Sequence, residues 1–137
     1  MRITPGQRDD LIQQARQARA HAYAPYSGYA VGAAALASSG RIYPGVNVEN
    51  AAYPSGICAE RAAVFTAVGA GERQILAVAV ATDNGGTPCG SCRQVLSEFG
   101  PEADVIMVDA DGKIVAEMTV ADLLPRAFGA GHLPRKT

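Results

Sequence analysis

Histidine and cysteine are both scarce in this chain, two of the first and three of the second, and that scarcity narrows the chemistry. Cysteines at 58, 89 and 92 alone cannot build a zinc site of four thiolates, and an odd number cannot all pair within one chain. Their spacing suits a metal better than a disulfide framework and implies a reducing compartment. His21 and His132 lie far along the chain from every cysteine segment, which argues against a histidine-containing zinc site and against a Ser-His-Asp triad; both are expected at the surface. No apolar run approaches the ~18 residues of a membrane-spanning helix; the longest, 29–37 and 75–81, are of strand length. Met1-Arg2-Ile3-Thr4-Pro5 has no signal-peptide core, so the expected location is the cytoplasm. Charge of one sign is not in excess either. Twelve basic and thirteen acidic residues leave a net charge of −1, which gives no basic surface for nucleic acid or an anionic membrane. The expected partner is a small neutral molecule. Charged residues, at 18%, are too few for a disordered chain, and 48% hydrophobic residues supply a core. A length of 137 residues fits one domain, 1–137.

What is present orders itself as alternating elements. Leu11, Ala15, Ala18 and Ala22 recur at helical spacing and predict an amphipathic helix over 7–23, broken by Pro25-Tyr26-Ser27-Gly28. Residues 29–37 and 41–46 read as strands joined by the Ser38-Ser39-Gly40 turn. Residues 47–56 lack periodicity and read as a loop, and 58–68 as an alanine-rich helix stopped at Gly69-Ala70-Gly71. That glycine pair is a helix stop and not a phosphate cradle, because the rest of a P-loop is missing. A buried strand over 75–82 is followed by the Asp83-Asn84-Gly85-Gly86 loop and a helix over 89–99, with Cys92, Val95, Leu96 and Phe99 on one face. Strands at 105–108 and 113–118 and a short helix at 120–124 complete the chain. Strand–helix–strand units imply a parallel portion with right-handed crossovers, and the opening hairpin adds antiparallel strands. The expected fold is α/β: a three-layer α/β/α sandwich around a mixed five-stranded sheet.

The cysteines occur as Cys58-Ala59-Glu60 and as Pro88-Cys89-Gly90-Ser91-Cys92, each opening a predicted helix. Helix N-termini carry partial positive charge and free N–H groups, which favour thiolates. Three soft ligands suffice for one Zn²⁺ and leave its fourth position open, the arrangement of a catalytic site rather than a structural one. Three thiolates also leave an excess negative charge that weakens the metal as a Lewis acid. The helix dipoles offset part of it, and Arg61 is the candidate for the rest, through N–H···S bonds. Glu60, two residues after the first ligand, is the acid/base candidate. Inert core cysteines or a redox Cys-x-x-Cys are the competing readings, and a first-turn glutamate favouring its helix dipole is the plain alternative for Glu60. Cys-Ala-Glu and Pro-Cys-x-x-Cys together, with no other cysteine, favour metal.

This pairing is close to a known signature of zinc deaminases, and the chain resembles the small cytidine deaminases along almost its whole length. The resemblance runs through Tyr23-Ala24-Pro25-Tyr26-Ser27, Val31-Gly32-Ala33-Ala34, Gly45-Val46-Asn47-Val48-Glu49-Asn50-Ala51-Ala52-Tyr53, Cys58-Ala59-Glu60-Arg61, the Pro88–Val95 segment and Leu123-Leu124-Pro125-Arg126-Ala127-Phe128. It implies hydrolysis of cytidine and 2′-deoxycytidine to the uridine products and ammonia in pyrimidine salvage, one zinc per subunit, and a homotetramer whose sites draw on neighbouring subunits. Within it Cys58, Cys89 and Cys92 are the ligands, and Asn47 and Glu49 hold the ribose. An amide and a carboxylate two apart on an extended segment share a side and can together donate to and accept from hydroxyls. Ala59 is implied as a substrate contact. Tyr29 stands where the family usually has a phenylalanine near the base, Phe128 where an aromatic residue caps the pyrimidine from an adjacent subunit, and Tyr53 near the subunit contact.

Three rivals share some of these features. An aminonucleoside-antibiotic deaminase of the blasticidin S type has the same zinc and glutamate, but lacks a stretch like Asn47-Val48-Glu49-Asn50-Ala51. A nucleic-acid-editing deaminase needs a basic groove, which the charge balance opposes. A zinc-stabilised structural domain normally closes its fourth position with Cys or His, and no such residue is placed to do so.

Overall fold

The structure, a computed structural model, describes residues 3–134. Helix α1, Pro5–Arg19, starts at a capping box between Thr4 and Gln7 with proline in its first turn. It buries Leu11 and Ala15. The helix is shorter than its apolar spacing predicts, and the cause is tertiary. Tyr23 takes an extended conformation beside Val48, donating from its N–H to Asn47 O at 2.9 Å and accepting from Glu49 N–H at 2.8 Å. A helix continued through 23 would forfeit both bonds.

Strands β1 (Gly32–Ala37) and β2 (Ile42–Val46) form the expected antiparallel hairpin. Residues 29–31 do not extend β1. Their backbone pairs instead with the Asn47 side chain, which accepts from Val31 N–H at 2.9 Å and donates to the Tyr29 carbonyl at 2.8 Å. Helix α2 (Ala59–Gly69), strand β3 (Ile75–Ala81), helix α3 (Gly90–Phe99), strands β4 (Asp104–Val108) and β5 (Ile114–Thr119) and the short α4 (Val120–Leu123) follow. The sheet order is β2-β1-β3-β4-β5, with only β3 and β4 parallel.

Period-two alternation divides the sheet cleanly. Ala34, Leu36, Ala77, Ala79, Ile106 and Val108 pack with Leu11 and Ala15 of α1 on one face. Ala33, Ala35, Val78, Val80, Val105 and Met107 pack with Ala63, Val64 and Leu96 of α2 and α3 on the other. Covering both faces is what makes β1 and β3 continuously apolar rather than alternating. The architecture is the three-layer α/β/α sandwich expected.

Small residues let the helices sit close to the sheet, and one contact positions the site. A Cβ on Gly45 of β2 would lie 2.4 Å from the Ala63 nitrogen and 2.5 Å from the Ala59 carbonyl oxygen of α2. Both atoms belong to helix backbone, so relief requires moving the first turns of α2, which carry Glu60 and Arg61. Gly45→Ala is therefore expected to cost at least about 1–3 kcal/mol, seen as a thermal midpoint lowered by several degrees. Calorimetry that finds the midpoint unchanged would show that α2 is free to shift.

Candidate metal centre and adjoining cleft

Cys58 and Cys89 are the N-cap residues of α2 and α3, both with extended backbone, and neither side chain caps its own helix. A serine or aspartate in that position would turn its oxygen back onto the helix N–H groups. The larger, weakly accepting sulfurs instead face each other, with Cys58 Sγ and Cys89 Sγ 3.8 Å apart. Cys92, one turn into α3 and fully buried, stands 3.4 Å from Cys89 Sγ. All three sulfurs lie within 4.8 Å of one another. A tetrahedral ion with Zn–S bonds of about 2.3 Å needs sulfur separations of about 3.8 Å, so the residues fit zinc with small adjustments.

Without a metal the neighbouring sulfurs push Cys58 and Cys92 in opposite directions. Cys58 is held down to about 5, first by the neighbouring Cys92 thiol and then by Arg61 and Cys89, against the opposing effect of burial. Cys92 is pushed the other way, by its neighbour Cys58 and by burial. Arg61 donates from Nη2 to Cys58 Sγ at 3.5 Å. Its Nε is buried without a partner among the described residues, so the guanidinium is turned inward towards the sulfurs and not out to solvent.

Glu60 is 5% exposed and lines the cleft beside the cysteines. Burial raises its proton affinity above the ordinary carboxylate value, and the negative charge of Cys58 adds to this. The cleft has a volume of about 640 Å³, suited to a ligand of nucleoside size. Asn47, Glu49, Ala59 and Tyr29 line it too. Glu49 is tightly oriented: Oε1 accepts from Tyr26 and Ser27 N–H at 2.9 and 3.0 Å, and Oε2 accepts from the Ser27 hydroxyl. These bonds, with Ser27 foremost, hold its carboxyl below the usual range. Asn47 spends its oxygen and one N–H on the 29–31 backbone, so it faces the cleft as a fixed group with one amide hydrogen left.

Phe128 is elsewhere. It is 58% exposed, stacks on His132 with ring centroids 5.3 Å apart, and is not part of this chain's cleft wall. Both histidines are exposed, as expected, although the stacking partner of His132 was not legible in its local sequence. Two bracing residues also escaped the sequence reading. Ser27 looks like one more turn residue. Arg93 grips the approach to Cys89, donating to the Pro88 and Leu123 carbonyls at 2.8 and 2.9 Å and to Thr87 Oγ1 at 3.1 Å. Their signals, a hydroxyl in a turn and an arginine on a short helix, are too common to single out.

The cytidine and deoxycytidylate deaminase zinc-binding region matches residues 5–108. A cytidine deaminase of Sporosarcina psychrophila is 49% identical over 128 residues, covering 91% of this chain and 93% of the relative. One from Mycobacterium tuberculosis is 45% identical over 128 residues, covering 92% of each. Among solved structures, the cytidine deaminase of Burkholderia pseudomallei superposes with a TM-score of 0.84 at 42% identity, covering 92% of this chain and all of that one.

Arg61→Gln removes the positive charge beside Cys58, and zinc affinity is expected to fall by about 10–100-fold, read by competition with a chromogenic chelator. Unchanged affinity would make Arg61 a packing residue only.

Proposed function

The chain belongs to the zinc-dependent cytidine deaminase family, and from that premise we propose that its cleft takes cytidine and 2′-deoxycytidine and hydrolyses each to its uridine product and ammonia through Glu60. The observation that carries this reading is a buried carboxylic acid sharing a cleft wall with a three-thiol cluster. Zinc held by Cys58, Cys89 and Cys92 supplies Lewis-acid activation of water when bound. Hydrolytic deamination then requires three proton movements: from the water, onto the pyrimidine ring nitrogen, and onto the departing amino group. Glu60 is placed to take and return each proton in turn. Its raised proton affinity suits a group that must act as base first and acid afterwards.

The other side chains divide binding among them. Asn47 and Glu49 hold the ribose hydroxyls, one donating and the other accepting. The ionised Glu49 also repels a phosphate, which favours free nucleosides over nucleotides. Ala59 and Tyr29 border the pyrimidine. Arg61 balances the thiolate charge. Phe128, exposed and outside its own chain's cleft, serves a neighbour's site within a homotetramer. Three unpaired thiols support a reducing, cytoplasmic setting and a role in pyrimidine salvage. Among the described residues no helix is long and apolar enough to cross a membrane.

Glu60→Gln tests the mechanism. The variant is expected to retain one zinc per chain by metal analysis, while cytidine turnover, followed by ultraviolet absorbance, falls by ~10²–10⁴-fold. Retained turnover, or an active wild-type protein without metal, would refute the reading. The same assay with deoxycytidine and blasticidin S separates a nucleoside enzyme from an antibiotic-directed one. Sedimentation of the active protein is expected to give a tetramer, and a fully active monomer would remove Phe128 from the site.

A further inference from the structure

Tyr29 touches more of the cleft's framework than a ring bordering the pyrimidine requires. Its backbone N–H donates to Ser27 Oγ at 3.0 Å, and Ser27 in turn bonds Glu49. Its carbonyl accepts from Asn47 Nδ2 at 2.8 Å. Its hydroxyl reaches past the cleft-lining Gly86 and donates to Asn84 Oδ1 at 2.7 Å. Asn84 belongs to the segment that runs from β3 into Cys89, and it is pinned behind by a bridge to Asp109. In that segment Gly86 N–H donates to Thr82 Oγ1 at 2.8 Å.

The fit at Gly86 is steric as well as polar. A Cβ there would lie 2.4 Å from the Tyr29 hydroxyl oxygen but 3.5 Å from Cζ. The conflict is with the oxygen alone, since 3.5 Å is ordinary contact. Gly86 is not in the left-handed region, so the glycine is required by this approach and not by its own backbone.

We propose that Tyr29 is a positioning residue whose hydroxyl, through Asn84 and over Gly86, fastens the metal-side wall of the cleft to the wall carrying Asn47 and Glu49. Asp83-Asn84-Gly85-Gly86-Thr87 has the composition of a freely moving loop, and the tie holds it at one width before substrate arrives. A partly exposed hydrogen bond contributes little to global stability. Its effect is on the ordering cost of binding, which enters substrate and transition state alike and so appears in KM more than in kcat.

The inference rests on the nucleoside reading of the cleft. Wild-type turnover of cytidine tests that reading, and the variants below test only the tie. Tyr29→Phe keeps the ring and removes the hydroxyl; Asn84→Ala removes the acceptor. Each is expected to raise KM for cytidine, and the calorimetric Kd for uridine, by about 3–10-fold, with a smaller fall in kcat. The double variant should be no worse than either single one. Gly86→Ala should also raise both constants, and adding Tyr29→Phe should bring them back to the Tyr29→Phe values, because the clashing oxygen has gone. Binding constants within about twofold of wild type, additive effects in the double variant, a loss confined to the thermal midpoint, or no relief of Gly86→Ala would each overturn the proposal.

Discussion

The site depends on two helices that begin at the same place. Each starts at a cysteine that declines to cap its own helix, so two sets of unsatisfied N–H groups and two positive dipole ends meet around three sulfurs. Bringing thiolates this close would be strongly repulsive without such a field. The helix starts supply part of the compensation, and the Arg61 guanidinium supplies another part from behind. The hydrogen bonds that Cys89 shares with Cys58 and Cys92, and the opposite shifts of Cys58 and Cys92, express the same crowding. A metal ion in their midst replaces shared protons with a stronger shared charge.

That convergence is a product of the sheet. Helix α2 is set down on β2 where Gly45 lets backbone touch backbone, and α3 is delivered by the β3–β4 crossover. Alanine makes up four of the six residues of β1 and three of the seven of β3, the strands that helix layers approach from each side. The layers need little side-chain volume to fill the space between them. A precise seat for α2 is worth more here than the larger hydrophobic contribution bulkier residues would make, since Glu60 rides in the first turn of that helix, two residues after Cys58.

The binding half of the cleft is organised differently. No regular element presents Asn47, Glu49 or Tyr29; side chains have taken over the work of strand pairing. The Asn47 amide stands in for a neighbouring strand, and Glu49 satisfies the turn at Tyr26 and Ser27. These residues carry two duties at once: they satisfy the backbone of irregular segments, and they face the cleft in fixed orientations. Such groups are poorly exchangeable, because a substitution removes a backbone partner as well as a ligand contact.

Much of this is written in local stretches of the sequence. Helical spacing in α1, the apolar runs of β1 and β3, the Ser38-Ser39-Gly40 turn and the two cysteine segments point to the layers and to a cysteine cluster able to hold a metal, because they are local patterns whose physics lies within a few residues. Glu60 and Arg61 were legible for the same reason: adjacency to Cys58 fixes where a helix must point them. The end of α1 at Arg19, the late start of β1 at Gly32 and the braces from Ser27, Asn84 and Arg93 were not. Each depends on a hydrogen bond whose partner is distant in sequence, such as Tyr23 with Asn47 or Tyr29 with Asn84. Residue type and periodicity determined which elements form and which atoms can bind a metal. Tertiary packing alone decided where those elements stop and how wide the cleft between them stands, because those outcomes are set by contacts that exist only once the chain has closed on itself.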